Sequence, residues 1–173
     1  MSDCTFCDLI QKKVNKLYED DKLFVMMSPE PAAPGHVVVL PKAHAPILEA
    51  VPDFVVGETF KVANKVGVAV FEGLGAQGTN ILVQNGPPAG QKHNHAMLHV
   101  LPRAEGDNLP LTWNPQSISE EVLSNVEGKI KDETKNIGLF EKEKEKPIEM
   151  VAPEEVKESA EEDYRIKTLK RIP

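Results

Sequence analysis

His95-Ala96-Met97-Leu98-His99-Val100-Leu101-Pro102-Arg103 is the stretch of this 173-residue chain from which the fold and the site are predicted. A β-strand directs alternate side chains to opposite faces, so a strand here places His95, Met97 and His99 on one face. Two imidazoles on that face, directly after the Gly-rich segment 85–91, predict a site for an anion or a metal ion. Met97, which lies between them, carries a thioether that cannot do the proton or phosphoryl chemistry of histidine.

The composition predicts one domain, with room for an appendage. Hydrophobic residues make up 40% of the chain, which suffices for an ordinary core, and the formal net charge is −7. That acidic balance argues against capture of nucleic acid as the main role. The sequence lacks an apolar run of about 18 residues and the basic and apolar regions of a signal peptide. We therefore expect a cytoplasmic protein that neither spans a membrane nor binds nucleic acid directly.

The hydrophobic pattern predicts strands on both sides of one long helix. Between Pro52 and Leu74, valines recur at steps of seven, four and four residues, which is helical spacing, and a Gly-Leu-Gly segment follows. The order predicts an α+β fold in which this helix packs on an antiparallel sheet. The predicted strands cover 14–20, 23–27, 36–40, 80–84 and, within the quoted stretch, 97–101.

The character of the chain changes after residue 107. We assign 1–107 to the domain, 108–140 to a loop and an amphipathic helical extension, and 141–173 to a charged tail. Ser117-Ile118-Ser119-Glu120 fits a capping box at the start of the extension helix. The tail is predicted to be solvated or partly helical. The alternative is an ordered extension that packs on the domain or on a partner subunit.

Two cysteines and two histidines form a candidate metal site. Cys4 and Cys7, the only cysteines, supply two thiols from one turn, His44 follows a predicted strand, and His95 opens the quoted stretch. Two Cys and two His suit tetrahedral Zn²⁺, with bonds of roughly 2.0–2.3 Å. A metal would also fasten the N-terminal segment, which has few apolar anchors, to the sheet. The alternative is a pair of small thiols with no metal.

These motifs resemble the histidine triad (HIT) superfamily of nucleotide hydrolases and transferases. The match runs from about Cys4 to Arg103, and its segment 84–103 is similar to the fragile histidine triad branch. The resemblance implies a HIT-like fold, an antiparallel sheet with one long helix, and usually a homodimer. It also implies that Cys4, Cys7, His44 and His95 hold zinc. The motifs that carry it are 4–7, 34–44, 84–91 and 95–103.

The resemblance implies a phosphate site as well. Gln84 and the backbone of the turn at Gly90 and Gln91 would help to hold the α-phosphate. His99 would contact phosphate oxygens, and His36 would support it from the next strand. Such roles are physically reasonable, because the N–H groups of a turn and imidazoles are good donors to phosphate.

The chain departs from the family pattern His-x-His-x-His at the middle position. Met97 stands where the family has the histidine that attacks the α-phosphate. A thioether cannot be deprotonated and would give an unstable phosphosulfonium, so we expect the usual covalent route to be lost or severely weakened. A shifted register, with His93 as the first member of the row, would sacrifice both flanking motifs. We therefore read His93 as a turn residue.

A second departure concerns the ribose. Ser28 stands where many relatives carry an Asp or Asn that holds the ribose hydroxyls, and the shorter serine can bond only one of them well. Phe24 lines the base pocket or, alternatively, belongs to the core.

Three functions remain open on the sequence. The favoured one is a zinc-containing HIT protein that binds a purine nucleoside phosphate, with weak or no hydrolase activity of the usual kind. The second is an enzyme that acts on a phosphate ester, anhydride or phosphoramidate by another route, such as attack by water that His99 positions. The third is an adaptor whose tail recruits a partner. Retention of Gln84, Gly90, Gln91, His36 and His99 favours the first two.

Overall fold

The computed structural model of the chain describes residues 4–136. It contains two compact units, which divide between Trp113 and Asn114. The charged tail predicted for 141–173 lies outside the described residues, as does the end of the predicted extension, 137–140. No helix in the described part of the chain is long and apolar enough to cross a membrane.

A five-stranded antiparallel sheet forms the centre of the first unit. In chain order the strands are β1 (Lys16–Glu19), β2 (Leu23–Met27), β3 (Val37–Pro41), β4 (Gly78–Val83) and β5 (Leu98–Arg103). Their spatial order is β1-β2-β3-β5-β4, so β1 and β4 are the two edge strands. The antiparallel sheet and the α+β class confirm the predicted fold class.

Two helices cover opposite faces of this sheet. The long helix α2 (Asp53–Leu74) confirms the helix predicted from the valine spacing. It ends at Gly75, whose φ of +65° is the left-handed value that favours glycine. The short helix α1 (Thr5–Gln11) buries Phe6 and Ile10. Because successive residues of a strand face opposite sides, β2 and β3 are buried on both faces. Phe24, Met26, Val38 and Leu40 face α1, whereas Val25, Val37 and Val39 face α2.

The last strand begins later than predicted. β5 starts at Leu98, so His95 and Met97 precede the strand instead of lying within it. The reason is a local turn, in which the N–H of His95 donates to the carbonyl of His93 at 2.8 Å. The N–H of Ala96 then donates to Ala45 outside the sheet, at 2.7 Å. These contacts replace the ladder bonds that a longer strand would make.

The second unit contains the helix α3 (Glu120–Glu133). The predicted amphipathic helix is therefore present, but its N-cap is Ser119 and not the Ser117 that the capping box required. The hydroxyl oxygen of Ser119 accepts a hydrogen bond from the N–H of Val122 at 3.4 Å. This bond is of the usual N-cap kind, between the N-cap and the third residue of the helix.

A glycine fixes the entry to β3, a strand that is buried along its whole length. Gly35 has φ +85°, and a Cβ at this position would overlap Leu74 and lie 3.0 Å from Pro102. Replacement by alanine adds a left-handed backbone penalty and forces the tip of the exposed Leu74 side chain to rotate away. We expect Gly35→Ala to lower the free energy of unfolding by about 1–2 kcal/mol, measured by urea denaturation.

Gly57 provides the matched control. It lies in α2, is exposed, and a Cβ there meets nothing within 4 Å. Gly57→Ala is expected to raise the stability by up to about 1 kcal/mol, because alanine is the better helix former. Equal stabilities of the two variants would contradict this account of Gly35.

Candidate functional site

The predicted metal ligands lie together at one end of the sheet. The ligand atoms of Cys4, Cys7, His44 and His95 all lie within 4.8 Å of one another. Nδ1 of His95 lies 3.5 Å from Sγ of Cys4 and 3.7 Å from Sγ of Cys7. Nδ1 of His44 lies 3.4 Å from Sγ of Cys7. Four residues from three distant parts of the sequence thus converge on one point.

These spacings fit a tetrahedral zinc ion. Bonds of roughly 2.0–2.3 Å in a tetrahedron place ligand atoms about 3.3–3.8 Å apart, and the three distances above lie in that range. Cys4 and His95 are buried, whereas His44 is exposed, so the cluster lies at the edge of the core. The donor set of two sulfurs and two imidazole nitrogens is also one that zinc prefers.

A hydrogen bond orients His95 toward the cluster. Its Nε2 lies 2.9 Å from the carbonyl oxygen of Pro41, the last residue of β3. A carbonyl accepts only, so Nε2 carries the hydrogen and Nδ1 presents its lone pair to the two thiols. Burial lowers the pKa of His95 below its ordinary value, which keeps the ring neutral. A neutral imidazole with this tautomer is the form that binds a metal.

A separate cavity of about 250 Å³ opens beside the cluster. Except for Phe24, it brings together every residue predicted for nucleotide binding or catalysis. They come from the ends of β2, β3 and β4, from the segment before β5 and from β5 itself. Phe24 does not line the cavity and is fully buried in the core. The predicted residues that line it are Ser28, His36, Gln84, Gly90, Gln91, Met97 and His99.

A chain of hydrogen bonds fixes the tautomers of two histidines in this cavity. The N–H of Ala32 donates to Nδ1 of His36 at 3.1 Å, so the hydrogen of that ring is on Nε2. Nε2 of His36 lies 3.0 Å from Nδ1 of His99 and donates to it. The hydrogen of His99 is consequently on Nε2, from which it can be donated to an anionic oxygen.

The surroundings keep this histidine pair neutral. Burial, with a smaller contribution from His99, lowers the pKa of His36 from 6.5 to about 4. Burial also lowers the pKa of His99, and the nearby His93 lowers it further. Neutral rings preserve the donor and acceptor pattern just described, since a protonated His36 could not accept the N–H of Ala32.

The turn before the cavity is tightly constructed. Gly90 has φ +90°, and a Cβ there would lie 2.5 Å from Nε2 of Gln84, so the missing side chain makes space for that amide. The side chain of Gln91 acts inside the turn: its Oε1 accepts from the N–H of Gly86 at 2.6 Å. Its Nε2 donates to the carbonyls of Pro46 and His93 at 2.6 and 2.8 Å.

Met97 lies at the floor of the cavity. It is 8% exposed and belongs to the apolar cluster that includes Phe6 and Val38. Although β5 begins after it, Met97 lines the same cavity as His95 and His99, which agrees with the predicted common face. Its thioether faces the cavity without a hydrogen that it could donate.

Several lining residues were not predicted as part of a site. Phe6, Glu30 and Lys92 line the cavity, and so does His93, which the sequence analysis read as a turn residue. The ring of Phe6 meets the ring of His93 edge-on, with 5.0 Å between the centroids. His93 precedes His95 by two residues, the period of a strand, and this spacing was the only signal in the sequence that His93 would line the site.

Comparison with known proteins gives consistent matches. The profile of the HIT domain matches residues 10–106. Over 124 residues the chain is 35% identical to the adenylylsulfatase HINT3 of Arabidopsis thaliana, an alignment that covers 70% of this chain and 61% of the plant protein's length. Over 140 residues it is 28% identical to the adenosine 5'-monophosphoramidase HNT1 of Candida albicans, with 75% of this chain and 90% of that protein covered.

A solved structure of a related protein is also similar to this chain over most of its length. The zinc-bound histidine triad family protein from Mycobacterium smegmatis superposes with a TM-score of 0.58 and 29% identity, covering 73% of this chain and 97% of that chain. The HIT profile alone spans more than half of the present sequence. The geometry of the two sites and these matches together lead to one conclusion: the chain belongs to the HIT-domain family.

Proposed function

We propose that this protein binds a purine nucleoside phosphate in the cavity beside His99 and has little or no activity by the covalent route usual in the family. The observation that carries the proposal is the convergence of His99, Gln84 and the Gly90 turn around a cavity whose floor is the thioether of Met97. The donors recognise phosphate oxygens, whereas the thioether cannot form a nucleotidyl intermediate that turns over.

Each residue has a distinct part in the proposed complex. His99 donates from Nε2 to an α-phosphate oxygen, and His36 holds the His99 ring in that tautomer. The amide of Gln84 supplies a further donor. The N–H groups of Gly90 and Gln91 donate within the turn, to the carbonyls of Pro87 and Gly86 at 3.0 and 3.2 Å, so the turn is proposed to shape the phosphate site. Ser28 is proposed to contact one ribose hydroxyl. Its hydroxyl oxygen already accepts a hydrogen bond from the N–H of Glu30 at 3.3 Å, which fixes its position.

The relatives support an adenosine nucleotide as the ligand. Two relatives are an adenylylsulfatase and an adenosine 5'-monophosphoramidase, and both activities imply substrates in which adenosine is bound to phosphate. We propose the same class of ligand for this chain.

The proposal includes a zinc ion held by Cys4, Cys7, His44 and His95. Zinc at this point would supply structural cross-linking, since four protein ligands leave no open position for a substrate. It would fasten α1 to the end of β3 through His95 and Pro41. The homodimer and the cytoplasmic location expected from the sequence also remain part of the proposal.

A second candidate is hydrolysis by direct attack of water. The hydrogen bond from His36 to His99 favours it, because an oriented imidazole can stabilise charge that develops on the phosphate. This route needs no nucleophile on the protein, so Met97 would not prevent it.

Binding and turnover distinguish these candidates. We expect isothermal titration calorimetry to detect AMP or GMP binding to the wild type, while turnover of an adenosine phosphoramidate stays near background. Met97→His restores an imidazole at the floor of the cavity and is expected to raise turnover on the order of a hundredfold or more. Met97→Leu is the matched control, similar in size but without a nucleophile, and should gain nothing.

The outcomes separate the alternatives clearly. Rapid turnover by the wild type would support the water route, and a trapped nucleotidyl-enzyme adduct in the wild type would contradict our account of Met97. Absence of binding to any purine nucleoside phosphate would favour the adaptor.

The metal assignment is tested by elemental analysis of the purified protein. We expect about one zinc ion per chain in the wild type, and a large loss of zinc in Cys4→Ser, because a serine hydroxyl is a poor replacement for a thiolate. Thr5→Ser, a change on the exposed side of the same helix, should retain zinc. Unchanged zinc in Cys4→Ser would remove Cys4 from the ligand set.

Acid should destabilise the protein partly through His36. Its pKa is 6.5 when unperturbed and about 4 in the fold, so between those values the unfolded chain binds a proton that the folded chain excludes. The contribution of His36 to the free energy of unfolding is therefore fully present above about pH 6.5 and is lost as the pH falls toward 4. Lowering the pH from 7 to 5 should cost about 2 kcal/mol through His36 alone.

The variant His36→Asn isolates this contribution. Its side-chain oxygen can still accept the N–H of Ala32, but it does not titrate. The free energy of unfolding, followed by urea denaturation at each pH, should fall less steeply below pH 6.5 in the variant. Parallel pH profiles of wild type and variant would show that His36 is not the group responsible.

A further inference from the structure

A small charged cluster crosses the mouth of the cavity. The carboxylate of Glu30 lies 3.5 Å from Nζ of Lys92 and 3.4 Å from Nε2 of His93. Glu30 follows β2, whereas Lys92 and His93 belong to the segment before β5, so the contacts join the two sides of the opening. One carboxylate thus lies in ion-pair contact with Lys92 and close to the ring of His93, at the entrance to the proposed phosphate site.

Backbone hydrogen bonds fix the two loops that carry these side chains. The N–H of Glu30 donates to the hydroxyl of Ser28 at 3.3 Å. On the other side, the carbonyl of His93 accepts from the side chain of Gln91 and from the N–H of His95, each at 2.8 Å. The edge-on contact with Phe6 holds the His93 ring. The two loops and the His93 ring are therefore positioned before any ligand arrives, whereas the Lys92 side chain is 76% exposed.

The donors also lie on the same surface as the residues proposed to hold the α-phosphate. Lys92 and His93 directly follow the turn of Gly90 and Gln91, and all four line the cavity with His99. A group that extends from the α-phosphate toward the opening would meet them. The oxygens of a phosphate or sulfate accept hydrogen bonds as the Glu30 carboxylate does.

We infer that Lys92 and His93 form a second anion subsite, which selects nucleotides whose α-phosphate carries a further anionic group, and that the Glu30 carboxylate occupies this subsite until such a ligand displaces it. The inference rests on the proposed function, because it requires a nucleoside phosphate in the cavity. The class of ligand is a nucleoside diphosphate or a mixed anhydride, as opposed to a phosphate bearing an uncharged group.

Exposure makes the exchange of anions easy. The side chain of Lys92 is 76% exposed and that of Glu30 is 56% exposed, so their ion pair is screened by water and weak. The His93 side chain is 30% exposed, and its ring carries an N–H that can donate to an anion. A ligand anchored by its α-phosphate competes for these donors at a high effective concentration, whereas Glu30 is tied only by its own backbone.

The test compares ADP with AMP by calorimetry at one fixed ionic strength. The wild type should bind ADP about three- to tenfold more tightly than AMP, a preference in the range of one or two exposed charged contacts. The double variant Lys92→Gln with His93→Leu should lose that preference, since it keeps much of the bulk at both positions but removes the donors. Lys61→Gln, on the exposed side of α2, should leave the ratio of the two affinities unchanged.

Glu30→Gln gives the most specific readout. Removal of the competing carboxylate should strengthen ADP binding by a further factor of about two to five, with a smaller effect on AMP. If Glu30 merely supported the loop, its loss would weaken both nucleotides. Weakened binding of both, or equal affinities of the wild type for ADP and AMP, would overturn the subsite. Failure of both nucleotides to bind any of the proteins would overturn the proposed function as well.

Discussion

The hydrogen bond between Nε2 of His95 and the carbonyl of Pro41 is the interaction on which the arrangement of both sites depends. It ties the segment before β5 to the last residue of β3, and it determines which nitrogen of His95 faces the two cysteines. The same residue lines the cavity that contains His36 and His99. One buried imidazole therefore links the sheet, the N-terminal helix and the cavity, and a different tautomer would deprive the cysteine pair of its third ligand.

The cavity combines the donors proposed for recognition with an altered floor. His36 and His99 form a hydrogen-bond chain that starts at the backbone of Ala32 and leaves the hydrogen of His99 on Nε2. Met97 interrupts the row of imidazoles with a polarizable but unreactive sulfur. Under the proposed function, recognition and bond-making are separable. The donors are spread over the start of β3, the end of β4 and β5, whereas the nucleophile position is the single side chain of Met97.

Much of the fold follows from sequence because the relevant signals are local. The valine spacing between Pro52 and Leu74 is a helical repeat that no alternation can imitate, and the β-branched run 37–40 is typical of a buried strand. The late start of β5 could not be predicted in this way, since it depends on a contact between Ala96 and Ala45 across the fold. The N-cap of α3 was misplaced by two residues because both Ser117 and Ser119 can cap a helix.

The candidate site, too, was predictable in part and unpredictable in part. Its ligands and donors were assigned through motifs whose order in the sequence resembles a known family, and the structure brings them together. The cluster of Glu30 with Lys92 and His93 could not be predicted, because two loops separated by about sixty residues must meet before it exists. Nor was α1 predicted: it has only seven residues, and a helix that short is marginal without the sheet against which it packs.

The dependence of α1 on its attachment has a consequence for the solution behaviour of the protein. Phe24, Met26, Val38 and Leu40 are fully buried, and they pack in the same cluster as Phe6 and Ile10 of this two-turn helix. Release of the helix would present a contiguous apolar surface on the central strands to water. Surfaces of that kind promote self-association. A chain whose helix α1 has detached from the sheet would therefore aggregate before it unfolded completely.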